Sequence, residues 1–199
     1  VTGTVRSGSY RTTCFDEWQT DMKALLNFVL FQIGWFSSVL GAASNMPWLG
    51  PVVFVAVFSW HLRGAQRPDL EAGLVLACGI VGTWFDSLLV ATGWVAYPAG
   101  QFSSVMAPYW IITMWMLFAT TLNISMGWLR GKRLLAAVLG AIAGPASYYA
   151  GQKLGGIEFR EPAFAVLALG IGWAFLMPLV LELAERLNGF EPNLQRVRA

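Results

Sequence analysis

The stretch that decides the fold is residues 70–90, LEAGLVLACGIVGTWFDSLLV, which carries only two charged side chains. A helix of this length is about 31 Å long at 1.5 Å per residue, which matches the ~30 Å hydrocarbon core of a bilayer. Glu71 stands at the start of the stretch, and Asp86 lies about 22 Å along it. The stretch therefore predicts a membrane-spanning helix with one acid, Asp86, well inside the bilayer.

The composition of the whole chain agrees with a membrane protein. Of its 199 residues, 56% are apolar and 12% are charged, about half the ~25% that is usual in soluble domains. A soluble domain of this size could not bury so much apolar surface in one core. This excludes a soluble enzyme, a disordered chain and a nucleic-acid-binding domain. The single His and the two Cys, which lie far apart in the chain, form no cluster that could bind zinc, and we predict no metal and no cofactor.

Six apolar stretches predict an all-α, polytopic transmembrane helix bundle with six spans. A spanning helix needs about 20 apolar residues, so the second and fifth stretches are marginal in length. The stretches are residues 24–43, 48–62, 70–90, 108–128, 134–150 and 162–183.

The first stretch has a second interpretation. Lys23, an apolar run and the small residues 41–44 resemble a secretory signal with its cleavage site. Asn27, Gln32 and Trp35 interrupt that apolar run, and small residues also suit tight helix packing. We expect a retained helix; cleavage would leave five spans.

The chain divides into three parts. Residues 1–21 are polar and show no helix signal, and the composition changes abruptly at Met22. We expect residues 1–21 to be a disordered or non-native N-terminal extension, with Met22 as the natural start; a genuine disordered cytoplasmic tail is the alternative. Residues 22–185 form the predicted bundle, and residues 186–199 form a predicted cytoplasmic tail.

The distribution of Lys and Arg predicts the orientation. With six spans and a cytoplasmic N-terminus, eleven basic residues lie on the cytoplasmic side, and only Lys153 and Arg160 lie outside. Cytoplasmic loops carry such an excess of Lys and Arg. We therefore predict a multi-pass protein of the bacterial inner membrane with both termini cytoplasmic. The eleven are Arg6, Arg11, Lys23, Arg63, Arg67, Arg130, Lys132, Arg133, Arg186, Arg196 and Arg198.

Asp86 is the leading candidate for a site, because an ionisable group inside a membrane is costly and faces a bundle interior or a cavity. Two interpretations of Asp86 remain open. It is either a functional site for a ligand, a proton or a cation, or a purely structural carboxyl group held by hydrogen bonds. Deep Trp84 and Trp115 are candidates for packing or for lining a pocket, whereas His61 fits an interfacial position. Other polar or aromatic residues at a similar depth complete the candidate ligand-binding set, which is Asp86, Asn45, Tyr109, Trp110, Ser147, Tyr148 and Tyr149.

Gly140 and Gly144 form a GxxxG pattern in the fifth stretch. Small residues four apart let two helices approach closely. We expect this pattern to pack helices within one chain rather than to join two chains.

Several short motifs together resemble one family. They are residues 27–36 (NFVLFQIGWF), Pro108-Tyr109-Trp110, Trp115, residues 118–122 (FATTL), residues 144–148 (GPASY) and residues 151–155 (GQKLG). From about Lys23 to Leu183, the chain resembles the bacterial inner-membrane proteins grouped as domain of unknown function 2878. The resemblance implies a small membrane protein with no established activity, and it supplies no catalytic residues.

Three functions compete on this sequence. The first is a non-enzymatic membrane protein that binds or moves a small hydrophobic or lipid-like ligand in a cavity of the outer half. The second is an accessory subunit with a membrane-protein partner. The third is a membrane-embedded, lipid-modifying enzyme that uses Asp86 as acid or base. No nucleophile–base pair or nucleotide loop supports an enzyme, so we expect the first.

Overall fold

The computed structural model describes residues 9–190, which form six α-helices and one short two-stranded ladder. This confirms the all-α prediction. The helices are α1 (Ser9–Ala43), α2 (Leu49–Gly64), α3 (Pro68–Ala91), α4 (Tyr109–Leu122), α5 (Arg133–Lys153) and α6 (Pro162–Arg186). The strands are β1 (Val95–Ala96) and β2 (Glu158–Phe159), which pair antiparallel.

Helix α1 begins earlier than the sequence indicates. Residues 9–21 are helical, although their polarity predicted no helix before Met22. No Gly or Pro occurs between Ser9 and Met22 to end a helix there. Extending an existing helix gains one backbone hydrogen bond for each added residue, without a new nucleation cost, so the apolar helix continues towards the N-terminus. Residues 1–8 and 191–199 lie outside the described residues, as does most of the predicted C-terminal tail.

Four of the described helices are long and apolar enough to cross a membrane. They are residues 21–43 of α1 and the whole of α3, α5 and α6. Helices α2 and α4 are apolar but have only 16 and 14 residues. Large apolar side chains cover the outer surface of the bundle, as a bilayer environment requires; examples are Ile80, Ile142 and Phe175, each more than 60% exposed.

The helices run between two ends of the bundle that differ in charge. One end, called here the basic end, carries Arg63, Arg67, Arg130, Arg133 and Arg186 near the ends of their helices. The other end, called the ladder end, is where β1 pairs with β2 in the register Val95↔Phe159. The ladder joins the α3–α4 connection to the α5–α6 connection.

Helix packing leaves a gap in the described part of the bundle. Helix α1 packs on α2 and α4, α3 packs on α4, and α5 packs most closely on α6. The backbone of Gly140 meets the Trp173 backbone and Met177, and Gly144 meets the Trp173 ring. The GxxxG pattern therefore packs α5 against α6 within the chain, as predicted. Between α1 and α5 there is a cavity instead of a packed interface.

Candidate functional site

A buried carboxyl group on α3 accepts hydrogen bonds from three side chains of the bundle core. Asp86 is fully buried. Its Oδ1 accepts hydrogen bonds from the Tyr97 hydroxyl at 2.6 Å and the Tyr148 hydroxyl at 2.7 Å. Its Oδ2 accepts one from Trp115 Nε1 at 2.6 Å, and the Tyr148 hydroxyl lies 2.9 Å away. Three donors therefore satisfy a carboxyl group that would be costly to bury without them.

The three donors come from three separate segments. Trp115 lies on α4, Tyr148 on α5, and Tyr97 directly after β1 in the loop at the ladder end. Trp115 approaches α3 closely because residue 82 is a glycine; a Cβ there would overlap the indole ring. The carboxyl group consequently ties α3 to α4, α5 and the ladder-end loop.

Tyr97 remains a hydrogen-bond donor to Asp86. It lies outside the helices and is 4% exposed. Burial, and then the nearby Asp86 carboxylate, raise the pKa of the Tyr97 phenol well above its usual value. The phenol therefore stays protonated, so its O–H donates to Asp86 at physiological pH.

A cavity of about 470 Å³ lies beside this cluster, within the 300–1,000 Å³ range of small-molecule pockets. Helices α1 and α5 border it, and side chains of α4 and α6 form its floor. Among its described lining residues none is charged, and most are aromatic or aliphatic. They are Phe31, Gln32, Trp35, Phe36, Ile111, Met114, Trp115, Phe118, Met126, Leu139, Gly140, Ala143, Gly144, Ser147, Tyr148, Ala150, Trp173 and Met177.

Trp115 and Tyr148 belong both to the cavity wall and to the Asp86 cluster. Their side chains line the cavity and donate to the carboxyl group behind it. Asp86 itself is not among the lining residues. The carboxyl group is thus separated from the cavity by one layer of aromatic side chains.

Trp173 on the cavity floor has a buried indole N–H that interacts with the hydroxyl of Tyr148 on α5. The ring stacks on Trp115, with centroids 4.7 Å apart and planes 12° apart. Its Cδ1, which is bonded to Nε1, lies against Gly144 of α5, so the N–H edge of the ring faces the cavity-lining side of α5.

The structure brings only some of the predicted candidates together. Tyr148 joins Asp86 directly, and Ser147 lines the cavity while its hydroxyl donates to Gly144 O at 2.8 Å. Trp110 is fully buried in the same core, and its Nε1 donates to Ala99 O at 3.0 Å. Trp110 therefore anchors the ladder-end loop and does not line the cavity.

Three other candidates lie away from the cavity. Asn45 is exposed in the α1–α2 turn with φ 57°, a conformation that Asn tolerates well. Tyr149 is 51% exposed, and Lys153 Nζ lies 5.1 Å from its ring centroid. Tyr109 is half-buried and packs against the ring of Phe102. These positions connect none of the three to the Asp86 cluster.

One secondary expectation is wrong. Trp84 lines no described pocket and is 70% exposed, because it lies on the outward face of α3. His61 lies in the last turn of α2, where its interfacial depth stays a prediction; its side chain is 1% exposed, and its Nε2 lies 2.8 Å from Glu71 Oε2. Trp115, in contrast, lines the cavity as expected.

A second buried carboxyl group, Glu71, lies at the basic end, and the sequence analysis did not single it out. Glu71 Oε1 accepts hydrogen bonds from Asn123 Nδ2 and Gly189 N, each at 2.7 Å. Gly189 O accepts from the backbone N–H groups of Gln66 and Arg67 at 2.9 and 3.0 Å. The segment after α6 is thereby fastened across the start of α3. Only the position of Glu71, the second residue of an apolar stretch, hinted at its burial.

The bundle, its apolar surface and its buried polar clusters define an α-helical protein of the membrane type. Residues 24–179 match the model of the family described as "Protein of unknown function (DUF2878)". The match covers most of the chain, which therefore belongs to this family, as the sequence motifs indicated. Comparison with curated proteins gives no match, and comparison with solved structures gives none either.

Proposed function

We propose that this protein is an integral membrane protein that binds or moves a small hydrophobic or lipid-like molecule in the cavity between α1 and α5. The observation that carries the proposal is the cavity of about 470 Å³ with an aromatic and aliphatic lining and no charged side chain among the described residues that line it. Apolar pockets with a few fixed polar groups are the usual form of small-molecule sites.

The position of the cavity favours a ligand that enters from the bilayer. Helices α1 and α5 do not pack against each other there, and Phe36 and Ala143 on the two borders are exposed. An opening between two membrane-spanning helices meets lipid chains rather than water. The lining runs from Ala150 near the ladder end to Met126 near the basic end, so the site extends beyond the outer half expected from the sequence.

The Asp86 cluster supports a binding role more than a catalytic one. Its two oxygens already accept hydrogen bonds from Tyr97, Trp115 and Tyr148, and a candidate acid or base must reach the substrate directly or through one water. The aromatic layer separates it from the cavity. Asp86 then acts as a fixed support that orients two residues of the cavity wall.

We further propose that the chain crosses a bacterial inner membrane six times, with the basic end in the cytoplasm. Basic residues concentrate at one end of the bundle, where Arg63, Arg67, Arg130, Arg133 and Arg186 lie. Helices α2 and α4 are shorter than a usual span, and local thinning of the bilayer accommodates such helices.

The experiment measures binding of tritiated hexadecane to the protein purified in a mild detergent. Ala143→Phe places a ring on a small lining residue of α5, whereas Ile142→Phe adds a ring at an exposed neighbour that does not line the cavity. We expect saturable binding by wild type and Ile142→Phe, and at least tenfold weaker binding by Ala143→Phe. Absence of saturable binding by wild type, or equal binding by both variants, would overturn the proposal.

A further inference from the structure

We propose that the molecule held in the cavity is a neutral, chain-like lipid with a hydroxyl group in the interior of its chain, and that this hydroxyl binds the side-chain amide of Gln32. The inference rests on the proposed function, because it names the class of ligand for the same cavity. It depends on one juxtaposition: an amide without a partner among the described residues, on the cavity wall and in the middle of an apolar helix.

The unpaired amide of Gln32 is the first step of the argument. Gln32 lines the cavity from α1, and its amide makes no hydrogen bond with any described residue. Polar side chains of membrane helices bond to neighbouring helices, since lipid chains offer no partner. Asn27 of the same helix does so: it donates to Thr120 O at 3.1 Å, and its Oδ1 accepts from Ser125 Oγ at 2.8 Å. Gln32 has no such neighbour, because the cavity lies where a helix would otherwise pack.

The depth of Gln32 is the second step. It is the middle residue of the apolar part of α1, residues 21–43, with eleven residues on either side. At 1.5 Å per residue it lies about 16 Å from each end, close to half of the ~30 Å hydrocarbon core. The headgroups of ordinary phospholipids lie outside that core, so their polar atoms do not reach Gln32. A ligand that pairs with the amide must carry a polar group at mid-depth.

The cavity continues from Gln32 towards both ends of the bundle, which is the third step. Asn27, five residues before Gln32 on α1, bonds to Ser125. The lining residue that follows, Met126, therefore lies on the basic-end side of Gln32. Ala150, near the C-terminal end of α5, lines the cavity on the ladder-end side. A chain that fills the cavity passes Gln32 with carbon atoms on both sides, so its polar group lies inside the chain rather than at its end.

The chemistry of the lining selects a hydroxyl. The Gln32 amide offers N–H donors and a carbonyl acceptor, and a hydroxyl can use both. Ser147, on the α5 side, adds an acceptor: its hydroxyl donates to Gly144 O at 2.8 Å, and its oxygen can still accept. None of the described lining residues is charged, so an ionic group would be buried without a partner at a high cost. A ketone or an ether, in turn, cannot donate to these acceptors.

The test compares three tritiated probes of equal chain length: hexadecane, 8-hexadecanol and 1-hexadecanol. The two alcohols differ only in where the hydroxyl lies, and 1-hexadecanol can reach Gln32 only by leaving half of the cavity empty. In wild type we expect 8-hexadecanol to bind about tenfold more tightly than either other probe, since one net hydrogen bond to a buried group corresponds to roughly that factor.

Two variants locate the effect. Gln32→Leu removes the amide and keeps a side chain of similar size, so we expect it to bind hexadecane like wild type and to lose the preference for 8-hexadecanol. Gln152→Leu makes the same change on α5 at a residue that does not line the cavity, and we expect it to keep the preference. A preference for 8-hexadecanol that survives in Gln32→Leu would overturn the inference.

A measurement on the amide itself reports the contact directly. In protein labelled with ¹⁵N at the Gln side chains, the signal that Gln32→Leu lacks identifies Gln32. We expect its amide proton to move downfield when 8-hexadecanol binds and not when hexadecane binds, because a hydrogen bond deshields the proton. Binding of 8-hexadecanol without this shift, or equal affinity of wild type for all three probes, overturns the inference while the proposed function stands. Failure of all three probes to bind overturns both.

Discussion

The indole rings of Trp115 and Trp173 lie stacked, with their centroids 4.7 Å apart and only 12° between their planes. Trp115 is held by Asp86, and Trp173 by its contact with Gly144. The stack therefore connects the buried carboxyl group on α3 to the cavity floor on α6. A substitution of Asp86 should therefore alter the positions of the Trp115 and Trp173 rings in the cavity wall, although Asp86 itself does not line the cavity.

Replacing Asp86 should reduce stability according to how many donors lose an acceptor. Asp86→Leu strands the hydroxyls of Tyr97 and Tyr148 and the N–H of Trp115, at about 1–3 kcal/mol for each buried unsatisfied donor. Asp86→Asn keeps one acceptor oxygen, and its amide can donate to a rotated phenol hydroxyl. We expect thermal unfolding in detergent to give a Tm order of wild type, Asn variant, Leu variant. An unchanged Tm for Asp86→Leu would contradict the hydrogen-bonded cluster.

Adjacent tyrosines on α5 offer a matched comparison. Tyr148→Phe removes a buried donor to Asp86, whereas Tyr149→Phe removes a hydroxyl from a side chain that is 51% exposed. We expect Tyr148→Phe to lower the free energy of unfolding by about 1–3 kcal/mol. Tyr149→Phe should change it by less than about 0.5 kcal/mol. Denaturant titration in mixed micelles measures both, and equal effects would argue against the separate roles of the two residues.

The segment after α6 should tolerate no side chain at Gly189. A Cβ there would overlap Arg67 O and lie 2.7 Å from Glu71 Cγ. Gly189→Ala must therefore displace the backbone N–H of residue 189, which donates a hydrogen bond to Glu71 Oε1. We expect a Tm clearly below that of wild type, with a cost of about 1–3 kcal/mol for the disturbed buried group.

Gly73→Ala is the control for Gly189→Ala. Gly73 lies within α3, and a Cβ there would meet nothing within 4 Å. Because Ala is the better helix former by about 0.5–1 kcal/mol, we expect a Tm equal to or above that of wild type. A Gly189→Ala protein as stable as Gly73→Ala would show that the contact with Glu71 is dispensable.

The orientation can be tested by reporter fusions after Lys153 and after Arg198. The excess of basic residues at one end of the bundle predicts that the Lys153 fusion reports a periplasmic position and the Arg198 fusion a cytoplasmic one. Alkaline phosphatase and green fluorescent protein, which are active on opposite sides of the inner membrane, provide the two signals. A cytoplasmic position after Lys153, or a periplasmic one after Arg198, is incompatible with six spans and this orientation.

The sequence predicted the helical class and the burial of Asp86 because both follow from local composition. Long apolar runs predict helices, and an acid inside such a run has to face the interior. The lengths of the helices, and with them the number of membrane crossings, were harder to predict from the sequence. The fourth apolar stretch reaches residue 128, but α4 ends at Leu122 and a 3₁₀ turn follows at Gly127–Leu129. Hydropathy does not distinguish a helix from an apolar turn.

The partners of Asp86 could be predicted only in part, because depth in the membrane does not determine the direction of a side chain. Tyr148 and Tyr149 have the same depth, but neighbouring residues on a helix point about 100° apart, so only one can face Asp86. Tyr97 escaped notice because it lies in a Gly- and Pro-rich loop. Its approach to Asp86 depends on the long-range pairing of β1 with β2.

The contacts of Glu71 impose an order on the biogenesis of this protein. Its carboxylate is synthesised 52 residues before Asn123 and 118 residues before Gly189, the two donors to its Oε1. When α3 first emerges, only His61, which precedes Glu71 in the chain, is present to contact its carboxyl group. The cluster at the basic end is completed only after the segment beyond α6 emerges, and a nascent chain that stops short of residue 189 lacks one of the two donors to Glu71 Oε1.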